Sequence, residues 1–260
     1  MNKVTFLGTG TSQGLPMIGC SCPVCRSADP RDSRLRSSIL VEYAGKKILV
    51  DAGPDFRQQM LRAGSPHLDA ILLTHGHVDH TGGLDDVRAL NYLEKRSFPI
   101  YCEKQVEESL RKQFYYAFSD YKYPGIPEYD IRTITSLPFD VDGVEIVPIR
   151  AMHYKLPVLG FRFGDFAYVT DANYIPEAEF EKLRGLKYFV INTVKMTPHI
   201  SHYSLPEAVE VCRRVGAEKS FLTHLSHLLP CHAELNALLP PEISPAYDGL
   251  ELSYGNLPRN

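Results

Sequence analysis

The chain has 260 residues, 44% of them apolar and 23% charged, and its 28 basic residues against 31 acidic ones leave a net charge of −3. These proportions suit a globular enzyme, and they exclude disordered, collagenous and disulfide-scaffold classes. They also give no electrostatic reason to expect a nucleic-acid partner.

The first predicted strand, Val4–Leu7, runs into the Gly-rich stretch Gly8–Gly14. That stretch lacks dinucleotide-binding spacing and reads as a tight turn. Cys20, Cys22 and Cys25 follow within six positions. Thiols this close cannot easily pair without strain, and in a reducing compartment such clustering points to a metal. The loop at about 19–37 is therefore a candidate metal-binding loop. Its Arg26, Arg31, Arg34 and Arg36 suit a solvated face better than a phosphate cradle.

Strands are predicted at Ser38–Tyr43 and Lys47–Val50, with Gly45 in the turn between them and Asp51 immediately after. Pro54–Ala63 reads as a helix that starts on proline and stops at Gly64. The run Ala70–Leu73 reads as a buried strand and leads into Thr74-His75. Helical spacing recurs over Leu84–Lys95, Glu103–Phe118 and Pro176–Leu183. Val141–Ile149 and Gly160–Val169 form a strand-rich block that ends at Thr170-Asp171. Ser204–Val215 is the best-marked helix, with Ser204 and Glu207 as a capping box and Gly216 as the stop. Ser220–Leu222 leads into Thr223-His224, and a short helix is predicted over Cys231–Leu238. Strands that end in Asp51, His75, Asp171 and His224 predict one sheet edge where these side chains converge. Two β-rich blocks with helices outside them predict an α/β fold, a four-layer αββα sandwich, with residues 1–260 as one domain.

His75-Gly76-His77-Val78-Asp79-His80 carries the chemistry. On extended backbone His75 and His77 project to one side and can grip one metal, while Asp79 and His80 can reach a second as the chain turns. Imidazole and carboxylate suit zinc, manganese or iron. His153, Asp171 and His224 each follow a strand-like run and supply further ligands, with Asp171 placed to bridge.

These residues resemble the signature of the metallo-β-lactamase superfamily, and the likeness runs from Gly8-Thr9-Gly10 to Thr223-His224. The resemblance implies one divalent metal on His75, His77 and His153, and another on Asp79, His80 and His224, with Asp171 bridging and Asp51 orienting a ligand histidine. The Gly8–Gly14 stretch, the three cysteines, Arg36-Ser37-Ser38 and Thr223–His227 are similar to the subgroup of phosphoribosyl 1,2-cyclic phosphate phosphodiesterases. That subgroup implies a structural zinc on Cys20, Cys22 and Cys25. His227 matches its fourth ligand, although Cys231 and His232 are rivals from sequence alone.

The activity so implied is hydrolysis of a small cyclic phosphodiester, such as a phosphoribosyl 1,2-cyclic phosphate, by a hydroxide held between two zinc or manganese ions, with Asp79 and Asp171 in the catalytic centre. The subgroup implies His202 as general acid, and His199 is a substitute or a phosphate contact. Other outcomes are a same-fold hydrolase of a lactone, a thioester or an RNA 3′ end, or a non-catalytic metal or redox protein. No apolar run approaches the ~18 residues of a spanning helix. Met1–Gly10 has no signal-like apolar stretch, so the expected location is cytoplasmic, without membrane or nucleic-acid partners. The segment 114–129, with five tyrosines, suits a pocket wall, a homodimer patch or plain packing.

Overall fold

A computed structural model describes residues 1–64, 67–121 and 123–255. The chain first lays down β1 (Asn2–Gly8), β2 (Ser38–Tyr43), β3 (Lys46–Val50), α1 (Phe56–Ala63), β4 (Ala70–Leu72), α2 (Val78–Thr81) and α3 (Val87–Glu94). It continues with β5 (Phe98–Cys102), α4 (Lys104–Gln113), β6 (Tyr129–Thr133), β7 (Phe139–Val141), β8 (Val144–His153), β9 (Leu156–Phe163) and β10 (Phe166–Tyr168). Last come β11 (Tyr188–Asn192), α5 (Leu205–Val215), β12 (Lys219–Thr223), α6 (His232–Leu238), β13 (Ile243–Pro245) and β14 (Glu251–Tyr254).

The strands form two seven-stranded sheets, ordered β14-β1-β2-β3-β4-β5-β6 and β13-β12-β11-β10-β9-β8-β7. In each sheet an antiparallel half meets a parallel half, the latter being β3 to β6 in one and β10 to β13 in the other. Three apolar clusters separate four layers. Val4, Phe6, Ile48 and Val50 meet Phe161, Phe163 and Tyr168 between the sheets. Leu7, Leu49 and Ile71 meet Phe56, Leu90 and Leu110 of the outer helices. On the other side Val169, Phe189 and Leu222 meet Leu205, Ala208 and Leu235. Both faces of the central strands are covered, so their sequences are apolar throughout rather than alternating. The αββα sandwich is thus the fold.

Several boundaries differ from the sequence expectation. The strand-rich block splits into hairpins because Asp142-Gly143 and Gly164 take positive φ and turn the chain back. Pro54 lies ahead of α1, whose N-cap is Asp55. Pro176–Leu183 forms a 3-10 helix over Glu177–Leu183, not an α-helix. A 3-10 turn at Leu84–Asp86 precedes α3, and another at Tyr115–Ala117 follows α4. β5, β6, β11, β13 and β14 are additional strands. The expected single sheet edge is also corrected. Asp51 and His75 follow β3 and β4 of one sheet, while Asp171 and His224 follow β10 and β12 of the other.

Among the described residues no helix is long and apolar enough to cross a membrane. Residues 256–260 of the expected domain lie outside the described residues.

Candidate metal centre

The parallel halves of the two sheets aim their C-terminal ends at one place, and the predicted ligands collect there. Asp51, Asp171 and His224 stand just beyond strands with φ of 64°, 54° and 55°. That conformation costs a non-glycine residue on the order of 1–3 kcal/mol and is found where function requires it. His77 caps α2 in extended backbone, which separates the His75 side from the helical turn that carries Asp79 and His80.

Four histidines of the centre are each fixed through one ring nitrogen. His80 Nδ1 lies 2.7 Å from Asp51 Oδ2, and His75 Nδ1 lies 2.9 Å from Thr74 Oγ1, whose hydroxyl donates to Asp51. His153 Nδ1 is 2.7 Å from the Ser201 carbonyl, and His224 Nδ1 is 3.2 Å from Ser37 Oγ. Those partners require Nδ1–H to donate at His80 and His153. At His75 and His224 the hydroxyl already donates elsewhere, so the same tautomer follows. Every Nε2 is then left as a lone pair directed inward. His75 Nε2 and His80 Nε2 are buried without a hydrogen-bond partner, as is His202 Nδ1. Buried nitrogens are rarely orphaned, and a divalent cation would satisfy those of His75 and His80.

Asp171 is the hub. Its Oδ2 is 3.1 Å from His80 Nε2, and its Oδ1 is 3.3 Å from His224 Nε2 and 3.8 Å from His202 Nδ1. Three ligand groups, with atoms within 4.8 Å of one another, share it: His75 with His80, Asp79 with His224, and His153 with His202. Six of the seven expected metal ligands fall in these groups. His77 is exposed and lies outside these groups, with its ring 4.6 Å from that of His75 and 5.2 Å from that of His153. His202 stands inside a ligand group, its ring 4.6 Å from His153 and 5.0 Å from His224. His199 is 5.3 Å from His202 at the rim and exposed.

Electrostatics follow from burial and the three carboxylates. Burial pulls His75 well below the usual imidazole range. Burial opposes charge on His80 too, but Asp171, Asp51 and Asp79 outweigh it and raise His80. Burial also works against the Asp171 carboxylate, while His224 and His80 hold it well below the usual range. Burial, with His224 beside it, pulls His202 down to about 3. The set offers imidazole and carboxylate donors to hard or borderline divalent ions.

The cysteine loop builds a second cluster. Cys20, Cys22, Cys25 and His227 place their ligand atoms within 4.8 Å of one another, with Cys20 Sγ 3.2 Å and Cys22 Sγ 3.7 Å from His227 Nδ1. A Cys3His set is a tetrahedral zinc set. The Cys25 amide lowers the Cys22 thiol to about 6, and burial raises Cys25 to about 11. The two rivals for the fourth position are elsewhere. His232 Nδ1 faces Arg34 at 3.2 Å, and Cys231 caps α6 outside the cluster. Sequence reasoning missed Thr74, Ser37 and the Ser201 carbonyl as orienting groups. Of these, Thr74 and Ser201 each stand one residue from a named histidine.

This fold, with His and Asp ligands gathered at the ends of its strands, defines a class, and residues 46–225 match the family description "beta-lactamase superfamily domain". The chain belongs to that superfamily, in its metal-binding branch. A crystal structure of a diphosphatase from the PhnP family matches with a TM-score of 0.91 and 39% identity, covering 98% of each chain. Zn2+-bound PqqB from Methylobacterium extorquens matches with a TM-score of 0.77 over 97% of this chain and all of that one, which at 19% identity shows the fold alone. Among curated sequences, an octanoyltransferase of Porphyromonas gingivalis is 43% identical over 252 residues, which is 96% of this chain and 51% of that protein. A coenzyme PQQ synthesis protein B of Methylobacterium nodulans is 34% identical over 122 residues, 42% of this chain and 39% of that protein. The chain thus spans about half the length, or less, of the curated relatives it matches.

Proposed function

We propose that this chain is a phosphodiesterase that hydrolyses a small phosphodiester, with a five-membered cyclic ester as the first case to test. The observation that carries this reading is Asp171, shared by three ligand groups around orphaned histidine nitrogens. Two divalent ions, zinc or manganese, would be held by His75, His77, Asp79, His80, His153, Asp171 and His224. They would supply a water activated at neutral pH and offset charge on the phosphoryl oxygens. A structural zinc would sit on Cys20, Cys22, Cys25 and His227. The likeness to a PhnP-family diphosphatase at 39% identity supports phosphorus as the reacting centre.

The chain's own residues set the remaining chemistry. Asp51 and Thr74 hold two rings in one tautomer, and Ser37 and the Ser201 carbonyl hold two more. His202, partly exposed beside Asp171, is placed to give a proton to the departing oxygen. The role requires the anionic substrate to hold a proton on its imidazole. His202→Ala is expected to slow alkyl esters, whose leaving groups need a proton, by about 100-fold or more. Aryl esters with acidic leaving groups should slow much less. Equal losses on both would instead make His202 a metal ligand.

The octanoyltransferase name belongs to a protein about twice as long, so thioesters belong in the same substrate panel as cyclic phosphodiesters, linear phosphodiesters and diphosphates. Turnover of thioesters alone would replace the phosphodiester reading. Metal-dependent turnover of none would favour a binding or redox role. The small-molecule substrate, the cytoplasmic location and a homodimer remain part of the proposal.

A further inference from the structure

A cavity of about 210 Å³ opens beside the metal centre, between the His75–His77 turn and α4. Gly76 and His77 form one wall, Leu156 the other, and Gln105, Val106 and Ser109 line it from the helix. His75 and His77 line it, so it adjoins the metal centre. Gly76 makes this closeness possible, because a Cβ there would meet Ser109 Oγ at 3.1 Å and Ser109 Cβ at 3.2 Å. Gln105 ties the helix to the opposite wall by donating to the Pro157 carbonyl at 3.1 Å. The Ser109 hydroxyl donates back to Gln105 O at 3.1 Å, which leaves its oxygen free to accept. His202 does not line this cavity; its ring lies 4.6 Å from that of His153.

We infer that this cavity holds the alcohol that stays bonded to phosphorus, a compact one, and that Gln105 and Ser109 set which alcohol is accepted. The inference rests on the phosphodiesterase reading. In a linear ester, protonation at His202 puts the departing oxygen on that side and the other substituent towards α4; in a cyclic ester both oxygens belong to one alcohol, whose carbon frame would extend towards α4. The volume is below the roughly 300 Å³ at which pockets begin to take drug-sized ligands, which favours a compact substituent over a nucleoside. Leu156 and Val106 supply apolar surface, while Ser109 and Gln105 supply hydrogen bonds.

The test keeps the p-nitrophenyl leaving group and varies the other substituent of the phosphodiester through methyl, phenyl and thymidine 5′. The wild type should favour the methyl over the thymidine ester in kcat/KM. Gln105→Ala and Ser109→Ala widen the cavity and should shift the phenyl-to-methyl ratio upward by about tenfold, the scale of a pocket gaining or losing a methylene or two. Gln105→Trp, at an exposed position that does not endanger folding, should shift it down by a similar factor, mainly through KM. Metal content should stay at the wild-type value in all three. Ratios within twofold of wild type in every variant would overturn the subsite while leaving the phosphodiesterase reading intact. No turnover of any ester by the metal-loaded wild type would overturn both.

Discussion

Asp51 has no exposed surface, yet its carboxylate serves three contacts: the Thr74 amide at 2.9 Å, the Thr74 hydroxyl, and His80 Nδ1 at 2.7 Å. It acts on the metal centre through those partners and orients two of its rings. Asp51→Asn keeps the shape but replaces a charged acceptor of the His80 proton with a neutral one. Metal affinity is expected to fall about 10- to 100-fold, the usual cost of losing such a partner, as read by competitive dialysis against a chromophoric chelator. His232 offers a prediction remote from the metal centre. Burial, together with Arg34, pulls its pKa from 6.5 down to about 4. The unfolded chain therefore binds more protons here between about pH 6.5 and 4, and folding stability falls as pH drops through that window. Urea unfolding at several pH values should show a shallower loss across it for His232→Gln than for the wild type.

The elements around the centre pack backbone to backbone. A Cβ on Gly53, in the turn after β3, would lie 2.0 Å from the Asp79 carbonyl of α2, and a Cβ on Gly83 would lie 2.1 Å from the Gly53 carbonyl. Close approach, not positive φ, demands glycine at both positions. Gly53→Ala must push the β3 turn away from α2 and should cost on the order of 1–3 kcal/mol in urea unfolding, as overpacking does. Because the displaced helix carries Asp79 and His80, the same variant should bind less metal. The helix α5 was legible in full from its ends, with Ser204, Glu207 and Gly216 all in their expected roles. By contrast, Leu84–Lys95 and Glu103–Phe118 were drawn too long. Apolar spacing continues through a 3-10 turn, and spacing alone does not register the change of hydrogen-bond pattern.

At the scale of the whole molecule there are two clusters joined by a short path. His224 lies in the metal centre and His227, three residues on, in the cysteine cluster. The two differ in what they hold together. Asp171 gathers side chains from both sheets, whereas Cys20, Cys22 and Cys25 belong to one loop that closes on His227. Asp171→Ala should therefore lose the catalytic metals and activity together. Cys20→Ser should lose one other metal and mainly stability. Elemental analysis of the two purified variants checks both, and unchanged metal content in Asp171→Ala would remove it as the bridge.

The sequence alone determined the His75–His80 motif, the cysteine cluster, the αββα class and the general positions of most strands. Local signals fix these: residue identity at short offsets, apolar runs that stop at ionisable residues, and capping chemistry. It could not divide the strands between sheets, because runs covered on both faces look alike in either one. Nor could it choose His227 over Cys231 and His232, or find the hydroxyls of Ser37 and Thr74 that orient the ligands. Those depended on which distant segments the two sheets bring to a common end, where Asp171 meets His80, His202 and His224. Long-range pairing is set by burying three apolar interfaces at once, a property of the packed sandwich and of no single stretch of chain.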